Sequence, residues 1–116
     1  MLLRRIILYC FLLLIQGLLL SKITAQGDVK FEHYTLEDGL PGAHPWWIMQ
    51  DHQGFLWIGA GGIGLARFDG NKFKNFQHDP KDSFSLSDDR AGIIFEDSQK
   101  RLWVGTEKGL NQFDKE

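Results

Sequence analysis

A forty-six-residue internal repeat, short apolar segments punctuated by turn residues, and one tryptophan-centred strand per repeat predict an all-β chain. The architecture expected is about two four-stranded antiparallel blades of an incomplete β-propeller. Shifted by forty-six positions, Leu40, Ile48, Asp51, Gln53, Leu56, Trp57 and Gly59 fall on Leu86, Ile94, Asp97, Gln99, Leu102, Trp103 and Gly105. After a one-residue deletion, Gly64, Leu65, Phe68 and Asp69 fall on Gly109, Leu110, Phe113 and Asp114. A third, partial copy lies upstream, where Phe31 and Tyr34 answer to Phe73 and Phe76. Such modules cannot bury both faces alone and need neighbours.

The first element stands outside this pattern. Arg4 and Arg5 precede an apolar run over residues 6–20, and Ile23-Thr24-Ala25 ends on a small residue suited to cleavage. That order reads as a signal peptide over residues 1–25, with the mature chain starting at Gln26 and lying in the periplasm or outside the cell. An uncleaved N-terminal membrane anchor is the alternative. As a helix the apolar run spans roughly 22 Å, short of the roughly 30 Å hydrocarbon layer. The single cysteine, Cys10, lies inside this run, so the mature part has neither disulfide nor thiol chemistry.

The remainder, residues 26–116, divides into a half-blade (28–38), a blade (39–77), a connecting loop (78–89) and an incomplete blade (90–116). Residues 31–35 match a fourth strand and look like the start of a ring. Residues 46–50 and 91–96 are apolar on both faces, as inner strands between neighbouring blades would be. Asp51 and Asp97 then open tight turns, where a carboxylate can accept backbone N–H bonds. Gly54 tolerates positive φ in the first of them. Residues 55–59 and 101–105 form second strands, with Leu56/Ile58 and Leu102/Val104 on one face and Trp57 or Trp103 on the other. Residues 65–68 and 110–113 form third strands. Asp69-Gly70-Asn71 signals a hairpin into a fourth, residues 72–77. Residues 78–89 are a polar loop.

Composition excludes several classes of function. Removing residues 1–25 leaves ten basic against fifteen acidic residues, a net charge near −5, which argues against nucleic acid as a partner. Roughly 90 residues also fall short of a whole propeller, which takes typically four to eight blades.

The runs 34–41 (YTLEDGLP), 50–59 (QDHQGFLWIG), 64–70 (GLARFDG) and 96–114 (EDSQKRLWVGTEKGLNQFD) resemble the two-component regulator propeller repeat. That repeat belongs to the extracytoplasmic sensor half of hybrid histidine kinases, especially in Bacteroidetes. The resemblance implies seven-bladed rings, and sensing of oligosaccharides released from complex glycans. The signalling activity is not carried over, because these residues hold no kinase motif. Pro45, Ala60 and the longer Gly61-Gly62-Ile63 turn depart from the repeat pattern.

No residue set points to catalysis. Gly59, Gly61 and Gly64 satisfy G-x-G-x-x-G, yet they lead into a hairpin rather than a helix whose N-terminus could hold phosphate. His33, His44, His52 and His78 lack metal-ligand spacing, and Asp79, Asp82, Asp88 and Asp89 do not form a known calcium loop. No cofactor and no metal is expected. The repeated Trp57 and Trp103 read as packing residues.

Trp46 differs, because its counterpart is Gly92, and His44 aligns with Arg90 at the loop end of the same strand. Positions that vary between repeats are where a binding face departs from a common framework, so His44, Trp46 and Arg90 are the ligand-contact candidates. The expected partners are an oligosaccharide ligand and either the missing blades or other copies joined through exposed blade faces. The leading function is an exported ligand-sensing module from the N-terminal part of a propeller sensor. The alternatives are a truncated or structural product without its own ligand, and a fragment of a propeller lyase or glycosidase.

Overall fold

The computed structural model describes residues 1–20 and 27–114, so the proposed cleavage site and Gln26 lie outside the described residues. The chain forms two compact units, Met1–Glu32 and His33–Glu116. In the first, helix α1 covers Leu2–Leu20. Over residues 2–16 its side chains are exposed, and Arg4 and Arg5 sit near its start. Among the described residues no helix is long and apolar enough to cross a membrane.

The second unit holds seven strands: β1 Pro45–Gln50, β2 Leu56–Ala60, β3 Gly64–Phe68, β4 Phe73–Phe76, β5 Ala91–Glu96, β6 Leu102–Thr106 and β7 Gly109–Phe113. They pair in sequence order into an antiparallel four-stranded sheet, β1 to β4 (blade 1), and a three-stranded one, β5 to β7 (blade 2). The expected strands agree to within one residue at nearly every boundary. Residues 31–35 differ: they carry no strand, and the chain instead enters a short 3-10 turn, Leu36–Asp38, capped by Thr35. The apolar pattern of a fourth strand is present there, but no third strand of the same sheet lies among the described residues to pair with it.

Turn chemistry follows the sequence reading. Asp51 Oδ1 accepts from the N–H groups of Gln53 and Phe55 at 2.9 and 3.0 Å. Asp97 Oδ1 accepts from Gln99 and Arg101 at the same distances. Gly54 adopts φ +90°, and its counterpart Lys100 is forced to φ +62°. Asp69 Oδ1 accepts from Asn71 and Lys72 N–H, closing the β3–β4 hairpin. Those backbone bonds hold the Asp69 carboxyl below its usual range.

Alternation of side chains gives each blade two faces. One face of blade 1 carries Trp57 and Leu65, which pack against Ala91, Ile94, Leu102 and Val104 of blade 2 to form the core. Trp57 is fully buried, stacked on Phe76 and edge-on to Phe113, with centroids 5.8 and 4.9 Å apart. The two blades are also tied by polar contacts. Trp47 Nε1 donates to the Ile94 carbonyl at 2.9 Å. His52 N–H and Nδ1 meet the Glu96 carboxylate at 3.0 and 2.9 Å.

On the opposite face of blade 1, Ile58, Ala60, Ala66 and Phe68 are buried as well, while Ile48 of the inner strand is exposed. Tyr34 packs edge-on to Phe68 and Phe73, and Gly42 lies against Ala60 and Ile63. The opposite face of blade 2 is open, with Ile93, Phe95 and Leu110 all about 60–70% exposed.

Candidate functional site

The repeated tryptophans are held in the same way in both blades. Trp57 Nε1 donates to Asp51 Oδ2 at 2.8 Å, and Trp103 Nε1 to Asp97 Oδ2 at 2.9 Å. Each Asp therefore ties its turn to the middle of the following strand through one carboxylate. The Trp103 bond is the main reason that the Asp97 carboxyl sits well below the usual carboxylate range, with Arg101 and backbone N–H groups adding to it. These tryptophans are framework residues. The indole–carboxylate bond was not anticipated, although its signal, an Asp six residues before each Trp, is present in both copies.

The varying position lies at a local irregularity of the inner strand. Pro45 pairs with Ala60 and Trp47 with Gly59, so two residues of β1 oppose one of β2 and Trp46 is the extra one. The same bulge recurs in blade 2, where Ala91 pairs with Thr106, Ile93 with Gly105, and Gly92 is the extra residue. A bulge frees a residue from the sheet's alternation and re-aims its side chain. Trp46 is accordingly 74% exposed. Its indole lies over Gly61 so closely that a Cβ at Gly61 would overlap Nε1. The extra residue of the Gly61-Gly62-Ile63 turn thus provides the seat for the ring.

His44 and Arg90 lie at this same end. The Ala91 carbonyl sits beside Gly59, where an added Cβ would meet it at 2.8 Å, and Gly59 pairs with Trp47. The starts of β1 and β5 are therefore neighbours. The β2–β3 turn spans them: Gly61 N–H donates to the His44 carbonyl at 3.4 Å and Gly64 N–H to the Asp89 carbonyl at 2.7 Å.

Arg90 is not a free cation. Its Nε and Nη2 donate to Asp88 at 2.9 and 3.2 Å, and Nη1 pairs with Glu107. Arg90 N–H also donates to Asp88 Oδ1 at 2.8 Å, and Lys108 Nζ lies 3.6 Å from Oδ2. The Arg90 side-chain bonds, then its N–H, drive the Asp88 carboxyl well below the usual range, and Asp88 raises Arg90 in turn. Asp88, Glu107, Lys108 and Gly61 thus belong to this end of the blades although sequence reasoning singled out none of them for it. Only the Asp88-x-Arg90 spacing hinted at the clamp.

At this end Trp46 exposes its indole, and Asp88 and Glu107 engage three of the five N–H groups of the Arg90 guanidinium. Among the described residues no group of three or more His, Cys, Asp or Glu side chains could hold a metal ion.

Two adjacent antiparallel sheets, joined face to face and built on one repeat, define a pair of propeller blades. Residues 39–62 and 85–108 match the two component regulator propeller family, one match in each blade. Each match runs from the linker before an inner strand, through the tryptophan strand, into the turn that follows. Histidine kinase P4 of Formosa agariphila is 37% identical to this chain over 65 residues, which are 53% of the chain and 5% of that protein. The matched part is a small fraction of the kinase's length.

Proposed function

We propose that this chain is an exported ligand-sensing propeller module whose binding face is the end bearing His44, Trp46 and Arg90. The ligand class is a glycan-derived oligosaccharide. The observation that carries this reading is Trp46: a large indole on a bulge, 74% exposed and seated on a glycine turn found in blade 1 alone. Sugar rings present apolar C–H faces to an indole and hydroxyls to nearby polar groups. His44 and the two unspent N–H groups of Arg90 supply the polar partners, while Asp88 and Glu107 hold the guanidinium in place. Relationship to a protein named as a histidine kinase supports a signalling context for the sensed ligand. The basic and apolar order of the N-terminus supports export.

The test is titration of glycan fragments against the chain and its Trp46→Ala variant, followed by tryptophan fluorescence and calorimetry, with near-UV circular dichroism as the folding control. Loss of binding at least tenfold in a folded Trp46→Ala protein is expected. Unchanged affinity in that folded variant would overturn the assignment.

A further inference from the structure

We infer that the Trp46 end of the blades selects uncharged oligosaccharides, and that Glu107 is the residue that turns acidic ones away. The inference rests on the reading of this end as an oligosaccharide site. It adds the charge of the ligand.

A site for an acidic sugar presents a cation whose carboxylate-binding edge is vacant, because the guanidinium fork grips a carboxylate through two parallel N–H bonds. In Arg90 that edge is taken. Its Nε and Nη2 already donate to the two oxygens of Asp88 at 2.9 and 3.2 Å. Asp88 is buried, accepts from Arg90 N–H as well, and lies 3.6 Å from Lys108 Nζ, so it is not a partner that a ligand displaces. The other edge of the guanidinium, through Nη1, faces Glu107.

The charge around Arg90 points the same way. Residues 88–90 and 107–108 bring Asp88, Asp89 and Glu107 together with Arg90 and Lys108, three carboxylates to two cations. Asp89 is fixed there, since its side chain accepts from His78 N–H at 2.6 Å and its carbonyl from Gly64 N–H at the end of the turn that seats the indole. A carboxylate carried on a sugar at Trp46 therefore meets a negative rim whose cations are already shared.

A neutral sugar suits the same groups. A hydroxyl both donates and accepts, so neighbouring hydroxyls can receive a bond from Arg90 and give one to Glu107, whereas a carboxylate only accepts. The Arg90–Glu107 pair is thus the complement of a diol. Both side chains are more than half exposed, at 51% and 61%, while Asp88 is closed off at 9%. Glu107 is accordingly the carboxylate that an acidic ligand would face.

The test titrates the full chain by calorimetry at about pH 8, where an ordinary imidazole is neutral. The probes are neutral trisaccharides of glucose, mannose and galactose, and the same trisaccharides with their primary hydroxyls oxidised to carboxylates. The neutral member of a pair should bind about tenfold more tightly than the acidic one. Glu107→Gln should narrow that ratio to about threefold or less by improving the acidic member, and Lys108→Gln, which removes a cation from the same cluster, should widen it. Trp46→Ala should weaken both members alike, with near-UV circular dichroism checking the fold of each variant. An acidic member that binds the parent as well as the neutral one, or a ratio that folded Glu107→Gln leaves unchanged, would overturn the charge selection while the oligosaccharide reading stands. Failure of every trisaccharide to bind, neutral and acidic alike, would overturn the oligosaccharide reading itself and the selection with it.

Discussion

The Asp–Trp pair is the smallest unit that explains why the repeat looks as it does. A tryptophan in the middle of a blade interface brings an indole N–H that must find an acceptor when buried. The turn Asp supplies one from six residues upstream, while its other oxygen organises the turn itself. Trp57→Ala is expected to cost about 3–5 kcal/mol, because the ring is fully buried. Trp57→Phe should cost less, about 1–3 kcal/mol, since it keeps most of the packing but leaves an Asp51 oxygen without its indole donor. Urea unfolding measures both, and equal losses would show that the bond is irrelevant. The same unit makes stability depend on pH. The folded Asp97 carboxyl titrates below its ordinary value of 3.8, so its contribution is complete above that value and fades as pH falls through the range beneath it. In melts taken from neutral pH down to about pH 2, the stability gap between the parent and Asp97→Asn should narrow on the acid side. A gap of constant size would contradict the linkage. Lys100 shows the cost of imperfect repetition: it holds a left-handed conformation where blade 1 has Gly54. Relief of that strain makes Lys100→Gly stabilising by up to about 1 kcal/mol in urea unfolding.

Strands were legible at the scale of the element because the chain supplies two worked copies, and an apolar-polar alternation seen twice fixes its boundaries better than one seen once. Legibility failed where an element depends on something nonlocal. Residues 31–35 have the right side chains for a strand, but a strand exists only by pairing, and the sequence of one segment does not state whether its partner is at hand. The candidate end of the blades divides along the same line. That Trp46 lacks a repeat counterpart was visible, whereas the bulge that turns it outward and the Gly61 seat beneath it are properties of register and turn length. Arg90 was visible as a cation, but not as one committed to Asp88 and Glu107, because Glu107 arrives from a different turn. The seat can be tested directly. Gly61→Ala places a methyl where the Trp46 indole lies, while leaving the blade framework intact, so it should shift Trp46 fluorescence and weaken ligand binding without lowering the unfolding midpoint appreciably. Gly64→Ala is the contrasting change. Its φ is +102° and a Cβ there would overlap the Phe76 carbonyl, so it should destabilise the β3–β4 hairpin itself.

For the whole molecule, the two blades differ in what covers their faces. Blade 1 buries its second and third strands on both faces, against blade 2 on one side and beneath Tyr34 and the loop that follows on the other, although Ile48 of its inner strand stays exposed, whereas blade 2 buries only the face turned toward blade 1. The same sequence position therefore has two different energetic values. Trp47 and Ile93 are repeat counterparts, but Trp47 donates to Ile94 across the interface while Ile93 is 61% exposed. Trp47→Thr should cost about 2 kcal/mol or more in urea unfolding, as it removes an inter-blade hydrogen bond together with packing area. Ile93→Thr with Phe95→Thr keeps strand-compatible side chains and should stay within about 0.5 kcal/mol of the parent when measured on dilute protein. The double variant should nonetheless sediment with less self-association than the parent, because the face it makes polar has no neighbour among the described residues. If that variant unfolds as early as Trp47→Thr does in dilute solution, Ile93 and Phe95 are buried in the free chain, and the open face described for blade 2 is wrong.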